Sequence, residues 1–319
     1  MPYPIENKFV IAISASALFD TKEDERVFKD NGIEAYKQYQ SEHEYDIYKQ
    51  GFAFDFIEKF LHLNDDLEDN PVEVVLFTRN SPDLGKRIME SIKYYNLNIC
   101  RTHFSSGEYN YKYLPAFNAC LFLSCNKEHT RAAMKAGFAA GTVIPQTPTD
   151  EYVKDPSEEL RFAFDFDGVI ADDSSEQRYN AHGKQLSLYF SDEEMDAQKP
   201  LNWGPMKDLL LQISKIQQLE ENKCNQDPSY QKKVKLSLIT ARNAPADERV
   251  ITTLNEMMIK MDMAFFMGGI DKSRVINIMK PHIYFDDDIN NLHNLKDVVA
   301  VHIPFGVVNE PDSVSAKQE

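Results

Sequence analysis

Seven short runs of this chain are apolar at nearly every position: FVIAIS (9–14), VEVVLFT (72–78), ACLFLS (119–124), FAFD (162–165), VKLSLIT (234–240), IYFD (283–286) and VVAVHIP (298–304). A strand with one wet face alternates apolar and polar residues, so runs like these must be covered on both faces. Between them lie stretches such as FAFDFIEKFLHL (52–63) and MKDLLLQISKIQQL (206–219), whose apolar residues recur every three or four positions, as on a helix face. Strands alternating with helices imply βαβ units and a parallel sheet, so the fold class is α/β.

The 319 residues suffice for two domains, each with its own core. The two halves resemble each other in spacing. Ser14 and Asp165 stand 151 residues apart, as do Gly32 and Gly183. Thr78 and Thr240 stand 162 apart, as do Gly107 and Gly269, and Ser124 and Asp286. An insertion around EENKCNQDPSY (220–230) accounts for the change of offset. We read this as an internal duplication giving two Rossmann-like lobes, residues 1–150 and 151–308, with a polar tail at 309–319. The plainer alternative is that any two α/β segments share such spacing. The first half carries Ser14 and Ser16, then Ser124 and Cys125, where the second carries Asp165 and Asp167, then Asp286 and Asp287. The first lobe is therefore expected to be degenerate and non-catalytic.

A formal net charge of −16 argues against a nucleic-acid polymer or an anionic membrane as partner, because their phosphates would be repelled. A small anion is still admissible, since one cation and one lysine reverse the sign locally. The four cysteines show no CxxC and suit reduced thiols. Residues 9–19 lack the basic flank of a signal peptide, and no apolar run is long enough for a bilayer. A soluble, cytoplasmic protein is the expectation.

Ligands of a doubly wound sheet bind beyond the carboxyl ends of its strands. Asp165, Asp167, Thr240, Asp286 and Asp287 all fall at such ends. Crowded carboxylates need a positive partner, and a hard, oxygen-seeking cation such as Mg²⁺ is the natural one. The expected metal ligands are Asp165, Asp167, Asp286 and Asp287. Asp165 then suits a nucleophile that captures a phosphoryl group, and Asp167 an acid/base for the leaving oxygen and the attacking water. Thr240 and Lys272 supply the hydroxyl and ammonium that a phosphate requires. Each residue has a bland alternative: turn or cap residues for the two acids, a helix cap for Thr240, a solvated surface lysine for Lys272. Lys112 is read as the first half's lysine at a similar place. Asp288 is read as a neighbour, with a metal ligand as the alternative, and Arg242 and Asn243 as structural, with a substrate contact as theirs.

DFDGV, LIT, Lys272 and FDD, in this order, resemble the haloacid dehalogenase superfamily of aspartyl-phosphate phosphatases. Within it, the segments AISASALFD (12–20), GIEAYKQYQSEHE (32–44), LFTRNSP (76–82), LITARNAP (238–245) and PHIYFDD are similar to the cytosolic type I 5′-nucleotidases. The resemblance runs from about residue 8 to 306 and implies Mg²⁺-dependent hydrolysis of nucleoside 5′-monophosphates, AMP in particular. It assigns Asp165 as nucleophile, Asp167 as acid/base, Thr240 and Lys272 as phosphate ligands, and Asp286 with Asp287 to the metal. It also implies a small helical cap at about 174–203, whose rings (Tyr179, His182, Tyr189, Phe190, Trp203) could stack a base or simply pack. Around the first acids the family commonly has DGDAV, where this chain has Phe166 and Gly168. The alternatives are a phosphatase of the same superfamily acting on another small ester, and a protein that senses nucleotides without hydrolysing them. The first lobe is expected to act as scaffold, supplying part of the nucleoside pocket or a homo-oligomer contact.

Overall fold

A computed structural model of the chain describes residues 3–109, 111–146 and 154–310. The expected boundary at 150/151 and nearly all of the polar tail lie outside the described residues. The chain divides into two compact units, Met1–Pro145 and Gln146–Glu319.

Unit 1 contains β1 (Phe9–Ser14), α1 (Ala15–Leu18), α2 (Lys22–Glu42), α3 (Phe54–His62), β2 (Val72–Thr78), α4 (Lys86–Tyr94), β3 (Arg101–Phe104), β4 (Ala119–Ser124), α5 (Lys127–Lys135) and β5 (Ala140–Val143). Its strands pair in parallel in the order β3-β2-β1-β4-β5. β1 and β2 are buried at every position, as runs covered on both faces must be. Val10, Ala12, Val75, Phe77 and Phe122 form one side of the core with Leu114, Ala133 and Ala140. α2 contains Gly32 at φ 80°, a conformation that interrupts the helix and that a Cβ would strain.

Unit 2 contains β6 (Leu160–Phe164), α6 (Ser174–Ala181), α7 (Leu186–Met195), α8 (Lys207–Gln226), β7 (Val234–Thr240), α9 (Asp247–Glu256), β8 (Met263–Phe266), α10 (Ser273–Met279), β9 (Ile283–Asp286) and β10 (Val299–His302). Its strands are also parallel, in the order β8-β7-β6-β9-β10. Numbered from the first strand of each unit, the two orders are the same: 3-2-1-4-5 in both.

The apolar runs at 9–14, 72–78, 119–124, 234–240 and 283–286 coincide with strands. The run at 162–165 belongs to a strand that starts earlier and ends at Phe164, leaving Asp165 in the turn. β3, β5 and β8 are strands that no apolar run announced. After β6 the chain makes a single tight turn in which the Phe166 carbonyl accepts the amides of Ile170 and Ala171 at 3.0 and 2.9 Å. It then leaves for the α6–α7 segment and returns beside its own departure point. Asp172 N donates to Asn202 O at 3.0 Å and Gly204 N to Ile170 O at 2.7 Å, with an antiparallel bridge between Ala171 and Trp203. Among the described residues, no helix is long and apolar enough to cross a membrane.

Candidate active site

β6 and β9 are adjacent and parallel, with Phe164 opposite Phe285, so Asp165 and Asp286 leave neighbouring strands side by side. β7 flanks β6 on the other side, and its last residue, Thr240, lies two beyond the partner of Phe164. Lys272 sits at the start of α10 and is buried. Its ammonium lies 2.7 Å from Asp165 Oδ2 and 2.9 Å from Asp286 Oδ2, bridging the two strands.

Asp165, Asp286 and Asp287 are all buried and each places a carboxylate oxygen within 4.8 Å of the others. Burial pushes the Asp165 carboxyl up to about 7; Lys272 pulls it down, while Asp286 and Asp167 add to the rise. Burial, then Asp165 and Asp286, raise Asp287 well above the ordinary carboxylate range. Burial opposes the charge of Lys272, yet Asp165 and Asp286 hold it above the usual lysine range. One ammonium among three buried acids leaves the cluster short of positive charge.

The three acids are held differently. Asp286 accepts from Asp288 N at 2.9 Å, from Asn291 Nδ2 at 3.0 Å, from Lys272, and from the Tyr284 hydroxyl. Asp165 Oδ1 accepts the amide of Phe166 at 2.7 Å. Among the described residues no donor meets the Asp287 carboxylate, and a Cβ on Gly168 would come within 2.4 Å of its Oδ2. Gly168, at φ 70°, is what lets the two loops close to this distance. Oxygen-only donors, buried, unbalanced in charge and open at Asp287, fit a hard divalent cation such as Mg²⁺.

Asp167 is not brought into this cluster by its side chain. Because β6 ends at Phe164, residues 165 and 167 do not share a strand face, and the turn carries the Asp167 carboxylate to Arg242. That guanidinium grips it with two hydrogen bonds, Nε to Oδ2 at 2.8 Å and Nη2 to Oδ1 at 2.7 Å. Arg242, read from sequence as structural, thus contacts an expected catalytic acid directly. Glu193, Tyr284 and Asn291 were not singled out at all. A signal for Arg242 existed: it stands two residues past Thr240, at the same strand end as the acids it would offset.

Thr240 is buried, and its hydroxyl accepts the amide of Arg242 at 3.2 Å. Asp288 caps the following turn through Asn290 N at 3.0 Å, in keeping with a neighbour's role. Lys112 does not parallel Lys272: its side chain is more than half exposed and pairs with Glu108 at 3.5 Å.

A parallel sheet with acids and a buried lysine gathered at its strand ends defines an α/β protein whose candidate site lies beyond the carboxyl ends of the strands. The family model "5′-nucleotidase" matches residues 1–310, and the chain belongs to that family. The chain is 30% identical over 297 residues to human "Cytosolic 5′-nucleotidase 1B", a match covering 90% of this chain and 47% of that protein. It thus spans about half the length of that curated relative. Among solved structures, histidinol dehydrogenase from Elizabethkingia anophelis matches 93% of this chain and 52% of its own at 11% identity, with a TM-score of 0.23, too low to carry any argument.

Proposed function

We propose that this chain is a Mg²⁺-dependent 5′-nucleotidase that hydrolyses nucleoside 5′-monophosphates, AMP foremost, through an aspartyl-phosphate on Asp165. The observation that carries the reading is the Lys272 ammonium set between Asp165 and Asp286 at the ends of neighbouring strands. Family membership and the name of the human relative support the substrate class.

In this reading an Asp165 oxygen attacks phosphorus while the bond to the nucleoside 5′-oxygen breaks. Asp167 gives its proton to the departing oxygen, then takes one from the water that attacks the phosphorylated Asp165. Inorganic phosphate leaves and Asp165 is restored. Thr240 and Lys272 donate to the phosphoryl oxygens as charge spreads over them. Asp165, Asp286 and Asp287 would hold Mg²⁺, which when bound offsets the charge of the phosphoryl group and of the acids. The α6–α7 segment acts as the cap that excludes water.

The two units descend from an internal duplication in this proposal, supported by their identical strand orders. Unit 1 serves as scaffold. We place the protein in the cytosol, in line with the relative's name.

The test is phosphate release from a panel of nucleoside monophosphates and sugar phosphates, with and without Mg²⁺. AMP should lead the sugar phosphates by at least about 100-fold in kcat/KM, a difference of about 2.7 kcal/mol. Chelation should abolish turnover and Mg²⁺ restore it. Preferred hydrolysis of a sugar phosphate would favour the second phosphatase reading; nucleotide binding without turnover would favour the sensor.

A further inference from the structure

The Arg242 guanidinium serves two carboxylates at once. Nε and Nη2 hold Asp167, while Nη1 pairs with Glu193 on α7. Glu193 is itself almost fully buried and accepts from Arg249 at 3.0 Å and from the Ser175 hydroxyl at 2.9 Å. The Arg242 plane lies near the rings of Phe166, at 5.2 Å, and of Tyr189, at 5.9 Å. Two carboxylates and two guanidiniums therefore balance in a buried set drawn from the β6 turn, α7, the loop after β7, and α9. A fork of this kind fixes both the position and the plane of the carboxylate it holds. By contrast, the Asp167 side chain remains about one quarter exposed, so one edge of it is still accessible.

We infer that Arg242 is a positioning residue for the acid/base Asp167, and that Glu193 makes the α6–α7 segment part of that device. The inference rests on the nucleotidase reading. Arg242 does not touch the reacting atoms; it sets the direction from which Asp167 offers its proton. Unless the two carboxylates are held by their fork, the proton donor rotates away from the leaving oxygen. Because Glu193 belongs to the segment between β6 and α8, displacing that segment also loosens Arg242.

The distinguishing readout is dependence on the leaving group. In a nucleoside 5′-monophosphate the P–O bond breaks and the departing alkoxide needs a proton. In the analogue with sulfur as the bridging atom, the P–S bond breaks and a thiolate departs unprotonated. Attack by Asp165 is common to both. We therefore compare kcat/KM, which stops at departure of the nucleoside, for AMP and its 5′-bridging phosphorothiolate in wild type, Arg242→Lys and Glu193→Gln. Arg242→Lys keeps the charge and loses the fork. It should lower kcat/KM for AMP by about 100-fold and for the sulfur analogue by less than about 5-fold, since a positioned general acid contributes on that scale. Glu193→Gln should show the same inequality with a smaller loss, about 10-fold on AMP. Asp167→Asn combined with Arg242→Lys should be no worse on AMP than Asp167→Asn alone, because the two act as one unit.

Equal losses on both substrates in folded variants would overturn the inference and leave the nucleotidase reading standing. Additive losses in the double variant would do the same. Failure of the wild-type protein to release phosphate from AMP in the presence of Mg²⁺ would instead sink the nucleotidase reading, and this inference with it. If Arg242→Lys does not fold by circular dichroism, the Glu193→Gln ratio decides.

Discussion

Ser14 ends the first strand of unit 1, and Asp165 follows the first strand of unit 2; the two sheets share a strand order but not an electrostatic character. The turns after their strands are alike. Asn80 N meets Thr78 Oγ1 at 3.2 Å in unit 1, and Arg242 N meets Thr240 Oγ1 at 3.2 Å in unit 2. Asn126 N meets Ser124 Oγ at 3.2 Å, and Asp288 N meets Asp286 Oδ1 at 2.9 Å. A hydroxyl closes such a turn as well as a carboxylate does. What the acids add is charge, and charge in a buried place demands partners. Unit 2 accordingly buries Lys272 and Arg242 beside its acids. In unit 1, Ser14 simply shares a hydrogen bond with Ser16 at 3.1 Å, and Lys112 is left to solvent. Backbone architecture is common to both units; what sets unit 2 apart is a few charged side chains laid on it.

The contrast can be broken most sharply at its first members. Asp165→Asn should cut phosphate release from AMP by at least about 1,000-fold, as removal of a covalent nucleophile does. Ser14→Ala, at the matching strand end, should leave kcat/KM within about twofold. Comparable losses from the two substitutions would mean that unit 1 is not scaffold alone.

The lysines sharpen it next. Lys272→Met removes the bridge between two buried acids, and breaking a buried pair costs about 3–5 kcal/mol. We expect a lower urea midpoint in the Mg²⁺-free protein and loss of turnover, whereas Lys112→Met should leave the midpoint unchanged. An unaltered midpoint for Lys272→Met would show that the acids do not need that ammonium.

The smallest effect concerns pH and belongs to unit 1. His129 is buried against Arg79, with Nη1 3.1 Å from Nε2, and burial together with that guanidinium lowers the imidazole to about 4. An unfolded histidine titrates near 6.5. Between these values the unfolded chain binds more protons than the folded one, so stability is complete above about 6.5 and declines as pH falls toward 4. Urea midpoints followed from pH 7 to 4 should show a shallower decline in His129→Gln than in wild type. Parallel curves would remove His129 from the account.

Strands covered on both faces were readable because every position had to be apolar, and β1, β2, β4, β7 and β9 stand where that reasoning put them. β3 and β8 escaped it for a physical reason. They lie at the far end of each strand order, and RTHF and MAFF remain partly exposed. β5, reading AGTV, is buried, but Ala140 and Gly141 are poor strand formers, which leaves only Thr142 and Val143 to signal it. At the site, the types of residue were legible and their pairing was not. Asp165, Asp286, Asp287 and Lys272 could be grouped because charge compensation requires it. Nothing local tied Arg242 to Asp167, 75 positions away, or to Glu193, 49 positions away. Asp167 was grouped with the other acids by its place at a strand end, and the turn after β6 pairs its carboxylate with Arg242.

The α6–α7 segment departs and returns through a single doorway, laced shut by the amides of Asp172 and Gly204. A Cβ on Gly204 would sit 2.4 Å from the Ala171 carbonyl oxygen, so the two jambs are as close as backbone allows. An insert hung in this way behaves as an exchangeable cassette: its length and composition can drift while the strands beneath keep their register. Glu193 ties its interior to Arg242 and Arg249 below, so a graft that keeps it could bring a different recognition surface to the same acids.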